Sequence, residues 1–212
     1  MVRIEKELDT LEETLITMGN KVITMHQNTL SLFTENNCEK ALEIIAKDDF
    51  INKLEEDIND QCLASLALLS PVASDLRRVI TAIKIASELE RIADYAKNTA
   101  SFMIKHQIDN GYVIDYTTSM EKKLIEMLSE TMEAYKNRDL QAAFDIPEKD
   151  KHIDQLFNEL KEKLKENEDL EAYRHIFSIS SMLRNMERAG DHTINICEHI
   201  IYLIKGQHYD FG

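Results

Sequence analysis

The sequence predicts an all-α protein of six long helices, arranged as two tandem three-helix bundles, and three observations carry that reading. Only 5 Gly and 2 Pro interrupt 212 residues, while Leu, Ile, Ala, Glu and Lys, all tolerable or good in helices, dominate. Apolar residues recur at three-and-four spacing over runs far longer than a strand. Two stretches also read alike, Glu90-Arg91-Ile92-Ala93-Asp94 and Glu187-Arg188-Ala189-Gly190-Asp191, each followed four residues later by an asparagine, Asn98 and Asn195. Such repetition in register suggests a duplication.

The elements follow in order. Leu8, Leu11, Leu15, Met18, Val22, Met25 and Phe33 mark a first helix that ends near Glu35-Asn36-Asn37. A second helix runs from about Glu39 through Leu42, Ile45, Ile51, Leu54, Ile58 and Leu66 to Ser70-Pro71, where Ser70 can cap and Pro71 can open the third helix. The third continues through Val79, Ile83, Leu89, Ile92 and Phe102. Asp109-Asn110-Gly111 is the clearest breaker and divides a first repeat, residues 1–109, from a second, residues 110–212.

The halves align accordingly. Met18, Val22, Met25, Phe33, Asp48, Ile51, Leu54 and Ile58 match Met120, Leu124, Met127, Tyr135, Asp150, Ile153, Leu156 and Leu160 at a constant offset of 102. Beyond the second helix the offset falls to 97, pairing Arg77 with Arg174, Glu90 with Glu187, Asp94 with Asp191 and Asn98 with Asn195, so one connection is five residues shorter in the second copy. Pro147 is predicted to kink or restart its helix around Asp145-Ile146, because proline removes a backbone donor and clashes with the preceding turn. Its counterpart Ile45 leaves the first-copy helix straight.

Composition narrows the function. With 25 basic against 39 acidic residues and a net charge of -14, the chain repels phosphodiester backbones, and no basic run offsets this, so nucleic acid is excluded as a partner. Cys38, Cys62 and Cys197 lack C-x-x-C spacing and fall within apolar helical patterns, which predicts buried free thiols of a reducing compartment. The N-terminus has no apolar signal core, and the uncharged stretch Gln61 to Ser74 contains Pro71 and falls short of the roughly 18 residues a membrane span needs. The expectation is a cytoplasmic protein that meets a membrane only through partners.

The acidic pairs need weighing, since 39 acidic residues in 212 produce about seven i,i+4 pairs by chance. Direction separates the repeated pairs from that background: Val79, Ile83 and Ala86 fall within about 40° of Glu90 on the helix wheel. Ile176, Leu183, Ile194 and Ile201 likewise share the face of Glu187 and Asp191. The second helix of each repeat carries a matching stripe, Asp48 and Asn52 after Ala41 and Ile44, and Asp150 and Asp154 after Ala143 and Ile146. An unpaired buried carboxylate costs several kcal/mol, so these residues require compensation. Cations such as iron, manganese, magnesium or calcium accept such oxygen ligands. Interhelical ion pairs from Arg91 and Arg188, or from Arg77 and Arg174, are the alternative.

Histidine adds little. His192 follows Asp191 but points about 100° away, and its counterpart is Tyr95, so it is read as a supporting or partner-facing residue. His26, His106, His152, His175, His199 and His208 do not recur between the copies and are read as ordinary polar or core positions. No Glu has a His three residues later, against the di-iron bundles, and no phosphate-binding loop, G-x-S-x-G elbow or H-E-x-x-H is present. A binding or regulatory protein without catalytic residues or an organic cofactor follows.

The combination of duplication, Asp75-Leu76-Arg77 opening the third helix, Glu90-Arg91-x-x-Asp94 and Glu187-Arg188-x-Gly190-Asp191-His192-x-x-Asn195 resembles the PhoU family, from about Leu8 to Lys205. The resemblance implies a non-enzymatic cytoplasmic negative regulator of phosphate uptake and of the phosphate-starvation response. Its implied partners are the ATPase subunit of the phosphate ABC transporter and a sensor histidine kinase, and its implied state is a homodimer. It also implies a multinuclear metal, iron first, with zinc, manganese, magnesium and calcium as alternatives. By position, the ligands would be Asp48 with Asn52, Glu90 with Asp94, Asp150 with Asp154 and Glu187 with Asp191. Asn52 departs from the acidic pattern and weakens full loading of the first seam; if only one seam holds metal, the one built on Glu187 and Asp191 is expected to. With no glycine-rich anion cradle, phosphate status is expected to be sensed through the transporter. Regulation of another transporter and metal buffering are the rival functions.

Overall fold

The computed structural model describes residues 2–35, 37–106, 111–166 and 170–212, and every regular element among them is helical. Asn36, Asp109 and Asn110 lie outside the described residues, as do the side chains of Arg174, His175 and Ile176.

Helix α1 (Val2–Glu35) buries all seven of its predicted apolar positions. Helix α2 (Cys38–Leu69) is capped by Asn37, whose Oδ1 accepts from the Lys40 amide at 3.1 Å. Its inward line is Ala41, Ile44, Asp48, Ile51, Ile58, Cys62 and Ser65, so Asp48 stands within an apolar stripe. Leu42, predicted to be core, is 59% exposed, because it is turned about 100° from Ala41. Cys38 also departs from expectation: it opens α2 and is exposed, whereas Cys62 and Cys197 are buried free thiols.

Ser70 closes α2 in the left-handed region, with φ 47°. A residue before proline is disfavoured in the right-handed helical region, which explains the exit. Helix α3 (Ala73–Lys105) starts two residues after Pro71, with Val72 as its N-cap, so Pro71 separates the helices and does not open the third.

The second repeat consists of α4 (Gly111–Asn137), α5 (Leu140–Asp145), a 3-10 turn (Ile146–Lys149), α6 (Asp150–Glu166) and α7 (Leu170–Lys205). Arg138 turns the chain with φ 54°, and Asp139 caps α5 by accepting from the Ala142 amide at 3.0 Å. Pro147 sits in the 3-10 turn, so the helix breaks where the sequence predicts, while α2 passes Ile45 uninterrupted. Counting α5, the turn and α6 as one interrupted helix, the architecture is six long helices. The break also makes Asp150 the first residue of α6.

Helices α1, α2 and α3 pack on one another, as do α4, α6 and α7, and the two sets join through α3 against α7 and α1 against α4. Gly19 permits the α1–α4 approach: a Cβ there would stand 2.5 Å from Met132 Cε. The residue matching Gly19 is Glu121, buried with its Oε1 2.7 Å from His26 Nδ1. His26 Nε2 donates to the Ile92 carbonyl at 3.0 Å, so α1, α3 and α4 meet at one polar clamp. Burial disfavours the His26 charge, but Glu121 and the Ile92 carbonyl outweigh it and raise the imidazole pKa. No described helix is long and apolar enough to cross a membrane.

Candidate functional site: two unequal carboxylate seams

Helices α2 and α3 carry the first seam. Asp48 is buried, and its Oδ2 accepts from Lys97 Nζ at 2.6 Å and from Asn52 Nδ2 at 3.4 Å. Lys97 also reaches Asp94 Oδ1 at 3.3 Å, and Asp48 raises its pKa first, ahead of Asp94. Glu90 is held above its ordinary value by burial and then by Asp94, with Asp48 and Glu55 adding to the repulsion. The compensation expected from arginine is weak here: the exposed Arg91 stands 3.5 Å from Glu90 and 3.9 Å from Asp94. Lys97 supplies it instead.

Helices α6 and α7 carry the second seam, and no lysine enters it among the described residues. The position matching Lys97 at the 97-residue offset is Ile194. Asp150 is buried, its Oδ1 has no hydrogen-bond partner, and its pKa is pushed up to about 7 by burial and then by Asp154, Asp191 and Glu187. Burial and then Asp191 raise Glu187, while burial and then Asp154 raise Asp191. Each carboxylate thus stands in the field of the others. Gly190 lets Asp150 in: a Cβ at 190 would overlap Asp150 Oδ1 and lie 3.6 Å from Ile153 Cδ1. The glycine within the Glu-Arg-x-Gly-Asp motif is therefore a packing notch for a seam carboxylate.

The donor set of the second seam suits a hard, oxygen-seeking cation, whereas the first already contains an ammonium where such an ion would sit. Among the described residues no three His, Cys, Asp or Glu converge as a metal site, so the second seam is an open array running from buried Asp150 to exposed Asp154 and Asp191.

The proposed arginine partners are dispersed. Arg188 packs over the Tyr95 ring, 5.6 Å from its centroid, and lowers the pKa of Glu187 and Asp191 only as a minor influence. Arg77 lies against Gly206 and touches neither seam.

His192 faces its own counterpart: Nε2 is 3.2 Å from the Tyr95 hydroxyl, and Nδ1 is 2.5 Å from Glu88 Oε2. Asn195 Nδ2 donates to the same Glu88 oxygen at 3.2 Å, and His199 Nε2 lies 3.8 Å from Oε1. Burial opposes the Glu88 charge, but these partners prevail and hold its pKa down at about 2. Sequence reading missed both Glu88 and Lys97, although the 97-residue register that pairs Tyr95 with His192 and Lys97 with Ile194 contained the signal.

Fold and site define a duplicated three-helix protein with a repeated pair of acidic seams, one partly neutralised by a lysine and one not. The family model of the PhoU domain matches residues 15–103 and again residues 117–200, and the chain belongs to the PhoU family. A phosphate-specific transport system accessory protein PhoU homolog of Clostridium acetobutylicum is 28% identical over 98% of this chain and 97% of its own. The PhoU accessory protein of Serratia marcescens is 31% identical over 95% of this chain and 84% of its own. Among solved structures, the phosphate transport system regulatory protein PhoU of Streptococcus pneumoniae superposes with a TM-score of 0.87 at 28% identity, covering 98% of this chain and 100% of that one. PhoU of Pseudomonas aeruginosa superposes with a TM-score of 0.89 at 29% identity, covering 96% and 99%.

Proposed function

We propose that this protein is a non-enzymatic regulator of phosphate transport that works by contact with other proteins. The observation that carries the reading is near-full-length similarity, in sequence and fold, to proteins named as phosphate-specific transport accessory and regulatory proteins. In the fuller form of the proposal it represses phosphate uptake and the starvation response, joining the transporter's ATPase subunit to a sensor histidine kinase on the cytoplasmic side. The apolar end formed by Leu68, Val72 and Leu76, all exposed, is the first surface to scan for the ATPase contact.

The second seam is proposed to hold metal through Asp150, Asp154, Glu187 and Asp191, with iron first and zinc, manganese, magnesium or calcium as alternatives. A bound cation would supply the positive charge that Lys97 supplies to Asp48 and Asp94 in the first seam, where Asn52 and Glu90 complete the line. The chain's own residues position the buried carboxylate, since Gly190 seats Asp150, and helices α6 and α7, which carry the other three, pack on one another.

Deletion of the gene with a phosphate-starvation reporter tests the regulatory reading. Constitutive expression in high phosphate is expected; unchanged expression with altered iron tolerance would point to metal buffering instead. Elemental analysis of wild type, Glu187→Ala/Asp191→Ala and Glu90→Ala/Asp94→Ala tests the seams. Metal is expected to disappear only in the first double variant, and equal content in all three removes the metal proposal.

A further inference from the structure

Although the chain carries a net charge of -14, three guanidinium groups gather in one cleft where the ends of four elements meet. The cleft encloses about 490 Å³ and is lined by Glu12 of α1, Ser74, Arg77 and Arg78 of α3, Arg138 of the α4–α5 turn, and Leu203 and Ile204 of α7. It shares no residue with either carboxylate seam.

Two of the arginines are partly committed. Arg78 donates from Nε to Glu12 Oε1 at 2.7 Å and from Nη2 to Asp9 Oδ1 at 2.8 Å, leaving Nη1 uncommitted. Arg138 donates from Nη2 to the same Glu12 oxygen and from Nη1 to the Tyr135 carbonyl at 3.3 Å. Glu12 thus bridges the two guanidinium groups through one oxygen and holds them beside each other. Asp9 and Glu12 together balance two of the three positive charges and leave one in excess.

Arg77 carries the excess. Its Nε is buried with no hydrogen-bond partner, and an N–H withdrawn from water without an acceptor costs on the order of 1–3 kcal/mol. The guanidinium lies along Gly206, where φ is +71° and a Cβ would be 3.4 Å from Nη1. Beside it begins α3, a helix of 33 residues whose N-cap, Val72, offers no side-chain acceptor. The amides of Ala73, Ser74 and Asp75 precede the first backbone bond of this helix, from Leu76 to Val72, so they have no partner within the helix. The cleft therefore combines an orphaned guanidinium, two braced ones, a serine hydroxyl and a helix N-terminus without a side-chain cap. All of these are donors.

We propose that this cleft binds a small tetrahedral phosphoryl oxyanion, either free orthophosphate or the terminal phosphoryl group of a larger phosphate compound. Arg77 is its principal partner, with the Ser74 hydroxyl, the first-turn amides of α3 and the uncommitted Nη1 of Arg78 completing the shell. A tetrahedral anion suits the place because its oxygens can accept from several converging donors, while the planar carboxylate position between Arg78 and Arg138 is already filled by Glu12. Sequence reading expected no anion cradle because it searched for a glycine-rich loop; here the cradle is assembled from four separate elements.

The test is calorimetric titration of the full chain, stripped with EDTA so that no seam-bound metal can bridge phosphate, with orthophosphate, pyrophosphate and sulfate. Saturable 1:1 binding of a phosphate compound is expected, weakened ~10-fold or more in Arg77→Gln and unchanged in Glu187→Gln. Ser74→Asp provides a variant that keeps the helix, because an acid in the first turn favours it, while repelling the ligand; binding is expected to vanish with circular dichroism unchanged. Tighter orthophosphate than pyrophosphate binding assigns the cleft to free phosphate, and the reverse order assigns it to a phosphoryl terminus. No saturable binding of either by about 10 mM, sulfate binding as tight as both, or wild-type affinity in Arg77→Gln overturns the proposal.

Discussion

Asp150→Asn is expected to stabilise the metal-free protein at pH 8 while leaving it nearly unchanged at pH 4. The Asp150 carboxyl rises from 3.8 to about 7 on folding, through burial first and then Asp154, Asp191 and Glu187. Because the native state holds this proton more tightly than the unfolded chain, native stability falls as pH climbs from about 4 to about 7, then levels off. At 1.36 kcal/mol per pH unit the ceiling is roughly 4 kcal/mol, and solvent reaching the open rim at Asp154 and Asp191 reduces this to about 2 kcal/mol. An amide is neutral throughout, so the variant loses the slope. Urea denaturation in EDTA at pH 4, 6 and 8 reads the difference. Adding a divalent cation at pH 8 should then stabilise wild type and leave Asp150→Asn largely unmoved. Parallel pH profiles for the two proteins, or a variant less stable than wild type at pH 8, would refute the reasoning.

Three further substitutions examine other links. Lys97→Ile gives the first seam the residue of the second; it should cost about 2 kcal/mol in EDTA by stranding buried Asp48, and divalent cations should recover more stability in the variant than in wild type. Gly190→Ala should gain about 1 kcal/mol of helix propensity and lose about 1–3 kcal/mol to overlap with Asp150, for net destabilisation of about 1 kcal/mol. In an Asp150→Ala background the same change should become stabilising, and a raised melting temperature for Gly190→Ala alone would show that no notch exists. Glu121→Gln should cost about 3 kcal/mol at pH 6 by unpairing buried His26. Since the folded His26 pKa is raised, the pair contributes fully below about 6.5 and fades as pH rises through the folded value, so the penalty should shrink by pH 9 in matched denaturation curves.

Periodicity served best where one helix face alone decides burial. All seven apolar positions of α1 are inside, and Pro147 breaks its helix because the missing amide acts locally, whatever the neighbours. It failed for Leu42, since α2 is apolar on more than one side and only contact with α1 and α3 chooses the inward line. The acidic seams were legible because their carboxylates share the core-facing line, yet their compensation was misassigned. Arg77 precedes Glu90 by thirteen residues in the same helix, which places it ~20 Å away along the axis. Lys97 stands three residues beyond Asp94 and thus within reach across one turn. The arginine cleft was not legible as a site, because its donors come from two stretches about 60 residues apart, around Arg77-Arg78 and at Arg138, that only the fold brings together.

Duplication normally predicts two equivalent sites, and here two substitutions remove the equivalence. Asn52 in place of the acid at Asp154 lowers the negative charge of the first seam by one, and Lys97 in place of Ile194 adds one positive charge, so the seams differ by two charges. The first carries its own counter-ion, with Lys97 Nζ 2.6 Å from Asp48 Oδ2. The second has no such counter-ion among the described residues, and Asp150 takes up a proton near neutral pH. Helix α7, which carries Glu187 and Asp191, is also the helix that His192 and Asn195 fasten to Glu88 of α3. Asp191 thus stands within about one helical turn of both α3 contacts, whereas the first seam is closed by Lys97.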